Sequence, residues 1–307
     1  MSKILAEDKF GHGAIQQFKF ITRIRRALRP KADKLGKASI PFDWSKGAGI
    51  RVKIGGKLPI NNQGQEDSCG GQAGERLLEI KGAIKGKVER LSAKSVYAPI
   101  AYSGGGTTVN SLENQVANKG ANTELAVPSY DAYGNPLSES QVTELSWVTP
   151  STMADAMTRA GYIPITVNVD IDSVASAIRD YGAVIMKITG VNNNTWLSSN
   201  PRPPTLIYSP STPNTWRHFM CSDDVQPIQN TNGVKQVDFY QSWGKGVGNQ
   251  GIQSFTEDYF KSGYISDVFA FDTKQKIVTP DPVTLQKINI IQHMLVLLQQ
   301  LKQMLYA

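Results

Sequence analysis

Apolar residues recur every three or four positions at Val109, Leu112 and Val116, and that spacing predicts a helix over Thr108–Asn118. A second amphipathic stretch predicts a helix from Cys69 to about Lys85. From about residue 160 the pattern changes. Tyr162–Val167, Ala183–Ile188 and Val234–Tyr240 are rich in β-branched and aromatic residues and read as strands, with Asn232-Gly233 as a candidate hairpin turn. A helical part (about 40–150) thus precedes a β-rich part (about 151–275), which predicts an α+β protein.

Both ends of the chain read differently from this middle. Ala14–Leu28 is a candidate short helix that Pro30 would end. Beyond Pro280 and Pro282, Val283–Tyr306 reads as a final helix with two adjoining apolar stripes: Ile288, Ile291, Leu295 and Leu298, then Ile290, Met294, Leu297, Leu301 and Met304. So wide an apolar face either packs on its own domain or drives self-association or docking into a larger assembly, and residues 281–307 are expected to do the second. The polar side of this helix is mostly glutamine, so a membrane partner is not expected.

Composition narrows the function classes. The 307 residues, 40% of them apolar, can bury a large core. Two cysteines do not make a disulfide framework. The first ten residues lack the continuous apolar core of a signal peptide, and no stretch is long enough to span a bilayer, so a cytoplasmic protein or a component of an assembled particle is expected. The net charge is +7, but Lys19, Arg23, Arg25, Arg26, Arg29, Lys31, Lys34 and Lys37 place much of the positive charge in residues 1–39, a basic arm or short propeptide. Without an aromatic platform this arm gives no reason to expect a nucleic-acid partner.

Candidate chemistry centres on Cys69, at the predicted start of a helix, with the amide of Gln63 six residues upstream. Partial positive charge at a helix N-terminus favours the reactive thiolate, and the amide suggests an oxyanion site. A buried structural thiol is the competing reading. Of three histidines, His12 lies in the basic arm and His293 in the final helix, which leaves His218 as the candidate base. A hairpin at Asn232-Gly233 would bring Gln241 back towards His218. Cys221, three residues beyond His218 on a strand, should face the other way and read as a core thiol. Asp223 and Asp224 have no accompanying ligands at metal-site spacing and read as a solvated turn; no metal and no cofactor are expected.

These residues resemble the papain-like cysteine peptidases over roughly residues 40–270. Ile40-Pro41-Phe42-Asp43-Trp44 resembles the start of a mature domain of that family, and Asn62-Gln63-Gly64 its Asn-Gln-Gly. Gly105-Gly106 is similar to the paired glycines that bind substrate backbone, and Tyr181-Gly182-Ala183-Val184 to a Tyr-Gly-Pro-Val strand entry. Ser242-Trp243-Gly244, followed by Gly248 and Gly251, resembles Ser-Trp-Gly-x-x-Trp-Gly-x-x-Gly with Val247 in place of the second tryptophan. The chain departs from the family at Gln241, where asparagine is usual, at Gly70, where an aromatic residue is usual, and at Glu66, where a disulfide cysteine often stands.

The resemblance implies a papain-like fold of two parts around a cleft, with the domain spanning 40–275. It also implies roles: Cys69 as nucleophile, His218 as base and acid, Gln241 orienting the imidazole, and Trp243 shielding that contact. Gln63 with the Cys69 amide would hold the oxyanion, and Gly105 and Gly106 would bind a peptide or protein substrate. Two functions follow: a cysteine endopeptidase, or a catalytically weakened scaffold retained for assembly.

Overall fold

A computed structural model describes residues 40–51, 56–191 and 215–272. Residues 1–39 and 281–307, the expected basic arm and final helix, lie outside the described residues, and with them His12, His293 and the surface expected to drive self-association.

Among the described residues the order begins with a two-residue strand, β1 (Ala48–Gly49), and then five α-helices: α1 (Cys69–Ile84), α2 (Ala93–Tyr97), α3 (Val109–Asn118), α4 (Glu139–Val142) and α5 (Pro150–Met157). Ser92 and Thr108 start α2 and α3 by accepting bonds from the backbone amides three residues on, as N-cap side chains do. The β-rich part follows as β2 (Ile163–Val167), α6 (Ile171–Tyr181), β3 (Val184–Val191), β4 (Thr215–Val225), β5 (Gln236–Tyr240), β6 (Ile252–Thr256), α7 (Glu257–Lys261) and β7 (Ile265–Asp272). Helix α6, in the middle of the β-rich part, was not anticipated from the strand-rich composition. Asp170 caps its start and Gly182, at φ 83°, ends it in the left-handed conformation that glycine adopts without a Cβ penalty.

The strands form one antiparallel sheet in the order β2-β7-β3-β4-β5-β6, with β1 pairing the far end of β4. Alternate residues of the central strands enter different cores. Val184, Met186, Ile188 and Met220 join Val174 and Ile178 of α6, whereas Ile185, Phe219 and Cys221 join Leu77 and Ile80 of α1 and Leu112 and Val116 of α3. Burial on both faces explains why Ala183–Ile188 reads as a nearly continuous apolar run.

Helix α1 carries charge into its core. Arg76 is fully buried; it donates to Pro59 O and to Asn61 Oδ1 (2.8 Å) and pairs with Glu79 at 2.7 Å. Its guanidinium lies 4.7 Å from the centre of the Tyr240 ring. Arg90 pairs with the other oxygen of Glu79 at 3.2 Å, and Glu75 accepts from Asn61 Nδ2. The helix is thereby fastened both to residues 59–61 and to β5.

Two local expectations are corrected. Asn232-Gly233 does not form a tight hairpin. The link from β4 to β5 runs from Gln226 to Lys235 through a short 3-10 turn at Ile228–Thr231, and Asn232 (φ 55°) and Gly233 (φ 80°) spend their positive φ ending that turn. Asp223 and Asp224 are not a solvated turn either. Both are buried in β4, where Arg51 reaches each at 3.3 Å and Asp238 at 3.9 Å. Arg51 supplies the compensating charge that makes two adjacent aspartates tolerable inside a strand.

Three carboxylates share one guanidinium. Burial, followed by repulsion from Asp238 and Asp223, outweighs Arg51 and pushes the Asp224 carboxyl up to about 6 from its ordinary 3.8. A carboxyl raised in the folded state binds its proton more tightly there than in the unfolded chain. Its contribution is therefore fully present below about 3.8 and lost as pH rises through about 6. Asp224→Asn should flatten the stability profile between those limits and leave the protein more stable at pH 7, as read by urea denaturation at successive pH values.

Candidate active site

Two sequence motifs separated by most of the chain are strapped together here. Asn62 and Trp243 form an antiparallel bridge; Gln63 N donates to Ser242 O at 2.6 Å and Gly244 N donates to Asn61 O at 2.9 Å. Side chains repeat the connection. The Ser242 hydroxyl donates to Gln63 Oε1 at 2.5 Å, and Gln63 Nε2 donates to Glu66 O at 2.6 Å. Gln63 is thus fixed at both ends of its amide beside the turn that leads into Cys69.

Cys69 is the first residue of α1, and the side chain of the preceding Ser68 makes no capping bond to the first turn. The positive end of a 16-residue helix therefore begins at the thiol. Cys69 and His218 are both buried, at 0% exposure, the first at the edge of the core between α1 and the sheet and the second on β4. In the turn before Cys69, burial, reinforced by Glu139 and Asp67, pushes the Glu66 carboxyl up to about 7 despite an opposing hydrogen bond from its own backbone.

Gln241 follows β5 directly and reaches His218 across the β4–β5 pairing: its Oε1 lies 3.0 Å from His218 Nε2. An amide oxygen only accepts, so the contact places the imidazole proton on Nε2 and leaves Nδ1 as the basic nitrogen. The extra methylene of glutamine relative to asparagine is accommodated without losing this contact. Gln241 Nε2 is buried with no hydrogen-bond partner among the described residues, a cost of about 1–3 kcal/mol that the imidazole contact has to justify. Trp243 stacks on the imidazole with centroids 4.4 Å apart and planes at 29°. Trp216 meets the Trp243 ring edge-on at 5.3 Å. Trp216 was not singled out from the sequence, although its place two residues before His218 on one strand puts both on the same face.

Cys221 points the other way, into the core beside Phe219, as a free thiol whose pKa burial pushes well above the usual range. Among the described residues no group of His, Cys, Asp and Glu side chains is arranged to hold a metal.

The glycine pair differs from expectation. Gly105 and Gly106 both have positive φ, but Gly105 N donates to Tyr102 O (3.0 Å) and Gly106 N donates to the Tyr97 hydroxyl (2.7 Å). Tyr102 N also bonds Gly106 O at 3.0 Å. The two amides expected to greet a substrate are already used inside the protein, so the pair closes a self-contained loop.

The residue after this loop accounts for another departure. A Cβ added to Gly70 would sit 2.2 Å from Thr107 Cγ2, so the buried threonine fills the space a side chain would need after Cys69. Gly70→Ala should lower stability by about 1–3 kcal/mol despite alanine's better helix propensity. Adding Thr107→Ser, which removes the clashing methyl, should recover most of that loss in chemical denaturation.

No protein-family model and no curated protein matches this sequence. Solved structures do match in shape. Xylellain, a cysteine protease from Xylella fastidiosa, is similar with a TM-score of 0.62 at 15% identity, over 90% of this chain and 100% of that one. The digestive procathepsin L2 proteinase of Tenebrio molitor larval midgut is similar with a TM-score of 0.61 at 19% identity, over 88% of this chain and 80% of that one. The proform of the ragweed pollen cysteine protease Amb a 11 is similar with a TM-score of 0.57 at 17% identity, over 83% and 74%. The chain has the papain-like fold, in a divergent form.

Proposed function

We propose that this chain is a cysteine endopeptidase. The observation that carries the reading is the 3.0 Å contact from Gln241 Oε1 to His218 Nε2 beneath the Trp243 ring, because it prepares one ring nitrogen for acid–base work and screens the other from water.

In this reading His218 Nδ1 takes the Cys69 proton, and the thiolate attacks the carbonyl carbon of the scissile peptide. The carbonyl oxygen becomes an oxyanion held by the Gln63 amide and the Cys69 backbone N–H. His218 then gives the proton to the leaving amine as the C–N bond breaks, leaving a thioester on Cys69. A water, deprotonated by His218, opens the thioester and returns the thiol. Gln241 and Trp243 touch no substrate; they hold the imidazole in the required tautomer and orientation. The strap from Asn61–Gln63 to Ser242–Gly244 keeps the oxyanion donor in register with the residues that orient the base.

The test pairs thiol reactivity with cleavage. Iodoacetamide should label Cys69 faster than an ordinary thiol at pH 5–6, and Cys221 should stay unlabelled in the folded protein. A peptide library should be cleaved by the wild type and not by Cys69→Ala. His218→Ala should lose about 10²–10⁴-fold in kcat/KM, Gln63→Ala about 10²–10³-fold, and Gln241→Ala about tenfold, the value of one hydrogen bond to the imidazole. An unreactive Cys69 together with no cleavage at any pH would falsify the peptidase reading and leave a scaffold role.

A further inference from the structure

Glu139, the first residue of α4, spends both carboxylate oxygens on parts of the protein far from it in sequence. Oε2 accepts from the backbone amide of Asp67 at 2.9 Å, and Oε1 accepts from the Tyr97 hydroxyl at 2.7 Å. That hydroxyl accepts in turn from Gly106 N at 2.7 Å. Hydrogen-bond polarity therefore runs one way, from the Gly106 amide through the phenol to the carboxylate, and from the Asp67 amide to the same carboxylate. The two ends also touch directly: a Cβ on Gly105 would lie 2.2 Å from Asp67 Oδ2. Tyr97 itself is immobilised in the core, with its Cβ 2.6 Å from the place a side chain on Gly71 of α1 would occupy.

One acidic side chain thus ties the turn between Gln63 and Cys69 to the glycine loop. The tie demands a carboxylate. It must accept from two donors at once through two different oxygens, and a carboxamide has a single accepting oxygen while its NH₂ would face one of the donors. We propose that Glu139 is a positioning residue for the peptidase site, setting the distance between the oxyanion side of Cys69 and the wall formed by residues 104–106; this rests on the peptidase reading above. Because the Gly105 and Gly106 amides are used within the loop, the wall acts by its position alone, and the residues that hold it apart from Cys69 decide whether the scissile carbonyl of an extended peptide arrives within reach of the thiol.

Glu139→Gln, Tyr97→Phe and the double variant separate this role from a general loss of folding. Tyr97→Phe releases only the glycine loop, so with the library's best-cleaved peptide it should raise KM about fivefold and leave kcat within about twofold. Glu139→Gln keeps one accepting oxygen and turns its NH₂ on the other donor, so it breaks the tie between the two ends and should lower kcat about tenfold while raising KM as well. The double variant should be no worse than Glu139→Gln, because both substitutions break one connected unit. Labelling of Cys69 by iodoacetamide, which needs no peptide held against the wall, should change less than about twofold in all three. Multiplying effects in the double variant, unchanged kinetics in Glu139→Gln, or labelling that falls in step with kcat would each overturn the proposal. Amide hydrogen exchange keeps the two readings distinguishable. A wild type that neither cleaves nor labels sinks the peptidase reading and the catalytic consequence drawn from it. The tie itself is then supported if Glu139→Ala, which removes both accepting oxygens, exposes the Asp67 and Gly106 amides together, and overturned if both stay as protected as in the wild type.

Discussion

Everything near Cys69 depends on how a charged helix is held inside the protein. Helix α1 is buried along most of its length, yet it carries Glu75, Arg76, Glu79 and Lys81 into the interior. Isolated charges in such a place cost several kcal/mol each, so the helix sits there because Arg76, Glu79 and Lys81 meet partners in fixed positions, while burial pushes the Glu75 carboxyl up to about 8. Arg76 joins Glu79, Asn61 and the carbonyl of Pro59, and Lys81 donates to the carbonyls of Tyr181 and Phe271. Those partners belong to the segment before Gln63, to the end of α6 and to β7. The helix that presents Cys69 is thereby located against three separate parts of the fold by contacts that tolerate little displacement. Removing one member of such a group costs about 3–5 kcal/mol, because the remaining charge is left buried and unpaired.

A second constraint acts across the sheet. The Asn61–Gln63 segment and the Ser242–Gly244 segment form a short antiparallel strap, and each carries one half of the site. Gln63 leads to Cys69; Gln241 and Trp243 flank His218. Any motion that separates the two halves has to break the backbone bonds of the strap and the Ser242–Gln63 side-chain bond together. The glutamine in place of asparagine is explained locally: the longer side chain still delivers its oxygen to Nε2 at 3.0 Å, and the unpartnered Nε2 of the amide is the cost.

Much of this was legible in the chain. The helix starting at Cys69 and the helix after Thr108 follow from apolar spacing, and the central strands follow from β-branched runs. His218 and Gln241 do meet. What could not be read was decided by partners distant in sequence. Asp223-Asp224 looks like a loop until Arg51, 172 residues away from Asp223, supplies a countercharge. Asn232-Gly233 carries the backbone freedom of a hairpin turn, but Pro227 starts a 3-10 turn first and the pair is used to end it. The glycine loop looked open because no local pattern announces that the hydroxyl of Tyr97, nine residues earlier, occupies an amide there.

The bond from Ser242 to Gln63 joins residues 179 positions apart, and the one from Gln241 to His218 closes only after β5 is in place. Consequently the order of synthesis matters. A growing chain exposes Cys69 long before the residues that fix Gln63 and orient His218 have been made, and contacts of such long range form late because their loop-closure entropy must be met first. The contacts around the thiol are therefore absent from the nascent polypeptide and complete only in a chain whose β4 and β5 have folded against α1.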